Sequence, residues 1–153
     1  MNESNKSLAE NLLIKRPCLT VADLKRSLSI YQDILGFKLI YQSNAEPDSY
    51  LYSVFDLPPQ AKLTFAALST KNNPRALALT EVKKIQLSVS QNCYSCALVI
   101  EVSELQSKIE QIRQLNLNIV RPNHFTTENN LSFIEQAFCD YDGHIIMLYE
   151  WIK

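Results

Sequence analysis

A chain of 153 residues with 46% hydrophobic and 20% charged side chains has the balance of one compact domain that can bury a real core, not of a disordered tail. Its 15 basic and 16 acidic side chains leave a formal net charge of -1, so no basic field draws phosphate backbones and nucleic acid is not an expected partner. The longest apolar runs, such as Leu98-Val99-Ile100, fall far short of the roughly 20 residues that cross a bilayer, so no membrane partner is expected.

Residues 1–12 form a polar N-terminal segment without the apolar stretch of a secretory signal, which leads to an expected cytoplasmic location with reduced thiols. A mixed apolar stretch over residues 14–21 follows, interrupted by Pro17 as at an edge or strand start, and Asp23 then offers a helix N-cap. Leu24, Leu28, Tyr31 and Leu35 recur at helical spacing, and Gly36 stops that helix as a left-handed residue would. Phe37, Leu39 and Tyr41 alternate with Lys38, Ile40 and Gln42, the pattern of a strand. Residues 49–55 are rich in Tyr and Val, a strand-like composition that Pro58-Pro59 ends. Residues 62–68 and 75–82 are two more strand candidates around the turn Lys71-Asn72-Asn73-Pro74. Residues 13–82 thus read as a first β-α-β-β-β module, and 83–95 as a polar linker.

The order repeats in a second module, residues 96–153. Residues 97–102 form an apolar strand, Ser103 with Gln106 makes a capping box, and Leu105, Ile109, Ile112 and Leu115 line one helical face. Asn116 takes the helix-stop place that Gly36 has in the first half. Residues 117–120, 131–139 and 145–151 supply three strands, the last two joined by Asp140-Tyr141-Asp142-Gly143. Val21-Ala22-Asp23-Leu24 recurs as Val102-Ser103-Glu104-Leu105, an internal duplication too long in period for a solenoid.

Four cysteines are too few for a disulfide scaffold, and only Cys93 and Cys96 have C-x-x-C spacing. A zinc site needs two further ligands and a thioredoxin-like motif needs a βαβ setting, so the pair reads as two small residues entering a buried strand.

The segment VADLKRSLSIYQDILGFKLIY, from Val21 to Tyr41, resembles the signature of the vicinal oxygen chelate superfamily of glyoxalases, bleomycin-resistance proteins and extradiol dioxygenases: a strand, an Asp-Leu helix start, an aromatic on the helix and a Leu-Gly-Phe exit. FCDYDGHIIMLYE, from Phe138 to Glu150, resembles the family's closing hairpin, with Tyr141 where a Pro is usual. Both glycines of the chain, Gly36 and Gly143, fall at the family's special-backbone turns. The resemblance implies an α+β fold of two modules whose curved antiparallel sheets form an incomplete barrel around a ligand, with helices outside, and pairing of chains into a homodimer.

In metal-using members, His, Gln or Glu ligands come from the first and fourth strands of each module. The matching places here are Arg16, Ala78, Ala97 and Met147, which bring no hard oxygen or nitrogen donor. A one-residue shift recruits Glu81, but strand alternation turns it to the other face. No metal site or cofactor is therefore expected, with a divalent metal ion as the alternative. Alternation from these places also points Cys18, Thr20, Thr80, Val99, Glu101, Ile145 and Tyr149 inward, giving a mostly apolar pocket.

Arg16 is the natural anchor for an anionic ligand or, equally, a residue reaching solvent. Glu101 is a general-base candidate or the partner of Arg16 in an ion pair, Tyr149 a hydroxyl donor or core, and His124 a catalytic candidate or a solvated loop residue. No nucleophilic triad spacing and no phosphate-cradling glycine loop is present. Three functions stay open: a metal-free protein binding a small organic molecule, aromatic or carboxylated; a divalent-metal lyase or dioxygenase; and an interaction module that kept only the fold.

Overall fold

The computed structural model describes residues 14–87 and 96–152. In the first module β1 (Cys18–Val21), α1 (Leu24–Leu28), β2 (Lys38–Asn44), α2 (Leu51–Val54), β3 (Lys62–Ser69) and β4 (Leu77–Lys83) follow in order. The second has β5 (Ala97–Glu101), α3 (Leu105–Gln114), β6 (Asn123–Thr126), β7 (Ser132–Cys139) and β8 (Ile145–Ile152). Each module builds a four-stranded sheet of the same topology, β1-β4-β3-β2 in the first (sheet A) and β5-β8-β7-β6 in the second (sheet B). Hairpins make three strands of each sheet antiparallel, while the strand before each helix joins the last strand of its module in parallel, so the sheets are mixed. Among the described residues the two sheets share no strand pairing and close no barrel.

Alternation sends Leu19, Val21, Ala66, Leu68, Leu77 and Leu79 of sheet A to the same core as Leu98, Ile100, Phe138, Ile146 and Leu148 of sheet B. Leu24, Ile30 and Tyr31 from one helical segment and Leu105, Ile109 and Ile112 from the other pack into the same core. One core therefore serves both modules. Each large aliphatic side chain fully buried there contributes roughly 1.5–3 kcal/mol.

Asp23 caps α1 as its sequence position implies, its carboxylate accepting from the Arg26 N–H at 2.9 Å, a bond that holds its pKa below the usual value. The expected single helix up to Gly36 is instead a short α-helix that widens into a π-helix over Ser29–Ile34, with Leu35 N–H bonding Ile30 C=O at 2.9 Å. The extra residue per turn brings Ile30 and Tyr31 fully into the core and leaves Leu28 and Leu35 only partly buried. Gly36, at φ +86, and Gly143, at φ +85, adopt the left-handed backbone, and Asn116 does the same at φ 57.

Several expectations are corrected. Residues 49–55 contain the helix α2 in place of a strand, because Leu51 and Tyr52 fold back onto Leu63 and Val82 on the face of sheet A away from the main core. The Tyr52 hydroxyl pins this turn by donating to Ala61 C=O at 3.0 Å. Ser103 and Gln106 form no capping box: α3 starts after Glu104, itself left-handed at φ 57, with no side-chain cap. Residues 117–120 make a single bridge, Ile119 to Phe138, and the strand β6 comes only after Pro122, whose ring removes a ladder N–H. Of the C-x-x-C pair, Cys93 lies outside the described residues, and Cys96 is an exposed free thiol just before β5.

Carboxylates tie the pieces together. Glu81 on β4 accepts from Leu24 N–H at 2.8 Å, and Glu150 on β8 accepts from Glu104 and Leu105 N–H at 2.8 and 2.9 Å, so each module caps its helix from its last strand. The β7–β8 turn joins the modules. Asp142 accepts from Ala22 N–H at 2.8 Å and pairs with Arg26 at 3.3 Å, and His144 Nε2 lies 2.7 Å from Thr20 C=O, where the ring N–H donates. Asp140, 5% exposed, takes the Tyr31 hydroxyl at 2.6 Å together with Asp142 and His144 N–H.

Candidate functional site

Because the shared core claims one face of sheet B, the odd-numbered residues of β5 and β8 occupy the opposite face. Ala97, Val99 and Glu101 are exposed there, while Leu98 and Ile100 point to the core. Register sets Ala97 beside Ile145, Val99 beside Met147 and Glu101 beside Tyr149. On the next strand Ala137 adjoins Met147, Glu135 adjoins Tyr149 and Phe133 adjoins Trp151, and Phe125 of β6 adjoins Phe133. The result is an apolar floor of Ala97, Val99, Ala137 and Met147 with an aromatic group at one end.

That group is continuous. Phe133 lies 5.2 Å from Phe125, 5.4 Å from Trp151 and 6.2 Å from Tyr149, and Tyr149 lies 6.1 Å from Trp151. Most of these contacts are edge-on, the arrangement in which ring edges meet ring faces favourably. Val99 is 51% exposed, Phe125 50% and Trp151 41%. The Tyr149 hydroxyl donates to Glu101 Oε2 at 2.9 Å, and this bond raises the phenol pKa, so the hydroxyl stays protonated near neutral pH. Asn123 Nδ2 donates to Glu135 Oε1 at 2.9 Å on the same face. Polar groups thus border an apolar, ring-rich surface.

The corresponding face of sheet A is covered along β4 and open only at its β2 edge, where Tyr41 is 45% exposed. Ala78 and Thr80 are fully buried and present no surface to a ligand, and the Cys18 thiol lies 3.4 Å from the Thr80 hydroxyl. Cys18 and Thr20 are half-buried beside them. Arg16 precedes β1 and stands in the wall of a separate cavity of about 700 Å³ at the end of sheet A. It makes no ion pair with Glu101, whose carboxylate is exposed and holds Tyr149. Glu81 turns to the helix side, as alternation requires, and serves α1.

Among the expected site residues, then, Ala97, Val99, Met147, Glu101 and Tyr149 share one face, whereas Arg16, Cys18, Thr20, Ala78 and Thr80 belong to the other sheet. His124 is on β6 and not in a loop; opposite Ile134 in the ladder, it alternates away from Phe125 and the open face. Sequence reasoning did not single out Phe125, Phe133 and Trp151. Trp151 and Phe133 were legible, since they alternate in phase with Met147 and Ala137, but Phe125 was hidden by the misplacement of β6.

No group of three or more His, Cys, Asp or Glu side chains among the described residues is arranged to hold a metal ion. Arg16, Ala78, Ala97 and Met147, the places matched to metal ligands in the sequence, carry a guanidinium, two methyls and a thioether.

Paired β-α-β-β-β modules with an open sheet face define a class of protein that the comparisons recover. The model of the glyoxalase/bleomycin resistance protein/dioxygenase superfamily matches residues 13–148, and the chain belongs to that superfamily. Among solved structures, a glyoxalase family protein from Bacillus cereus superposes with a TM-score of 0.72 at 15% identity, covering 96% of this chain and 100% of that one. The trypanothione-dependent glyoxalase I of Leishmania major gives 0.61 at 19% identity over 91% of this chain and 86% of its own. A fosfomycin resistance protein from Listeria monocytogenes, solved with Mn(II) and sulfate, gives 0.55 at 18% identity over 92% of each. At these identities the likeness is one of fold. No curated protein matches the chain.

Proposed function

We propose that this protein is a metal-free member of the superfamily that binds a small aromatic molecule on the open face of sheet B. The observation that carries this reading is the cluster of Phe125, Phe133, Tyr149 and Trp151 beside the floor of Val99 and Met147. Rings that edge each other leave faces on which another ring stacks, and the floor offers apolar area that water covers poorly. The Tyr149–Glu101 pair supplies the polar contact that orients a ligand: Tyr149 is already donating, so the free lone pairs of Glu101 accept from a ligand hydroxyl or N–H. The absence of hard donors at Arg16, Ala78, Ala97 and Met147 supports a reading without a metal. A second copy of the chain covering this face would complete the enclosure, which supports a homodimer.

Trp151 is the sole tryptophan of the chain and lies in the site, so its fluorescence reports occupancy directly. Titration with 4-nitrophenol, a compact aromatic that quenches indole emission, is expected to quench the wild type saturably and to lose saturation in Val99→Asp, which sets a charge in the floor. Quenching that rises linearly and equally in both proteins would reject the site.

A further inference from the structure

Among the described residues, the cavity at the end of sheet A is lined by three cations, Lys15, Arg16 and Arg75, and by no carboxylate. It is formed where the segment before β1, the turn between β3 and β4 and the start of β2 meet. None of the three cations enters an ion pair among the described residues, whose bridges join Arg26, Lys83 and Arg113 to acids elsewhere. In a chain of net charge -1 such a gathering is a local feature, with Arg16 half-buried and Lys15 and Arg75 reaching solvent, and its positive potential draws an anion.

Two of the three cations are placed. Arg16 is half-buried in the wall. Arg75 has its guanidinium over the ring of Tyr41, 5.6 Å from the centroid, and its backbone is held by a 2.8 Å bond from its N–H to Ser69 Oγ in a left-handed conformation at φ 49. Guanidinium groups grip two oxygens of one oxyanion at once, and the lysine adds a mobile point charge. Apart from Asn73 the remaining wall is apolar, with Ile14 89% exposed and Ile40 44% exposed beside Pro74. Isoleucines left in contact with solvent at a cationic cavity suit a ligand with an apolar body behind an anionic head. A volume of about 700 Å³ is the size of a small-molecule site.

We infer that this cavity is a second binding site, specific for a small organic oxyanion, a carboxylate or a phosphate ester, with Arg16 and Arg75 on the oxygens. It shares no residue with the open face of sheet B and does not rest on the reading of that face.

Calorimetric titration with hexanoate, hexyl phosphate and uncharged 1-hexanol, none of which carries a ring for the face of sheet B, tests it and separates the two anionic sources. Saturable binding of at least one anion, tighter than that of 1-hexanol, is expected. Arg16→Gln and Arg75→Asn, the latter keeping a residue that tolerates positive φ, should each weaken that anion about tenfold or more, roughly 1.4 kcal/mol. Val99→Asp should leave it unchanged. Should either arginine variant melt early, Lys15→Gln, which alters an exposed side chain, gives the same reading with a loss of about threefold, roughly 0.7 kcal/mol. Equal affinity for 1-hexanol and the anions, no saturable heat from either anion, unchanged affinity in the folded variants, or loss of anion binding in Val99→Asp would each overturn the proposal.

Discussion

Tyr31 shows how one side chain links the two modules. It lies on the π-helix of the first module, is fully buried, and donates its hydroxyl at 2.6 Å to Asp140 in the β7–β8 turn of the second. Desolvation foremost, and then the Asp140 charge, push its pKa far above the ordinary tyrosine value, so the hydroxyl stays a donor near neutral pH. Tyr31→Phe keeps the ring but strips one carboxylate oxygen of its partner, leaving only the bonds of Asp142 and His144 N–H to the other. A loss of roughly 1.5–3 kcal/mol, the worth of a hydrogen bond to a charged group, is expected in chemical denaturation. A change below about 0.5 kcal/mol, the range of neutral surface substitutions, would mean that the turn is held by its backbone bonds alone.

At the scale of elements, the duplicated modules repeat a device that their sequences conceal. Glu81 and Glu150 stand on the last strand of their modules and satisfy the free N–H groups at the start of α1 and α3. For α1 this adds to the Asp23 cap, but for α3 it replaces a capping box that does not form. Glu150 is therefore the more consequential of the two. Glu150→Gln exchanges one charged acceptor oxygen for an amide nitrogen and leaves Glu104 or Leu105 N–H unpaired. The expected cost is about 1–2 kcal/mol, comparable to the loss of an N-cap, with faster amide exchange in the first turn of α3. Glu81→Gln should cost less, since Asp23 remains; equal costs would show that the two helix starts do not differ in this way.

For the whole molecule the uneven treatment of the two sheets is the governing fact. Both turn one face to the shared core, but sheet A covers part of its other face with α2 and the residues around it, whereas sheet B leaves Val99, Phe125 and Trp151 in solvent. An apolar face of that kind is costly to hydrate, which is the ground for the proposed pairing with a second copy. Light scattering at micromolar concentration is expected to give about twice the 17.5 kDa chain mass, and Val99→Asp to return it to one chain mass. Wild-type protein that scatters as a monomer throughout would rule the pairing out.

Much of this was legible in the residues. Duplication, the helix stops at Gly36 and Asn116 and the hairpin turn at Gly143 follow from local chemistry, since each needs only its own backbone and near neighbours. Alternation along 97–101 and 145–151 likewise assigned Val99, Met147, Glu101 and Tyr149 to one face before any strand was paired. What only the tertiary structure decided depends on contacts between segments far apart in sequence. A Tyr- and Val-rich stretch became α2 because Leu63 and Val82 waited to be covered; a helix widened to a π-helix so that Ile30 and Tyr31 reached a core shared with the other module; β6 shifted past Pro122 and turned His124 away from the site. Arg16 parted from Glu101 for the same reason: strand alternation tells which way a residue points within its own sheet, but not which sheet face stands opposite.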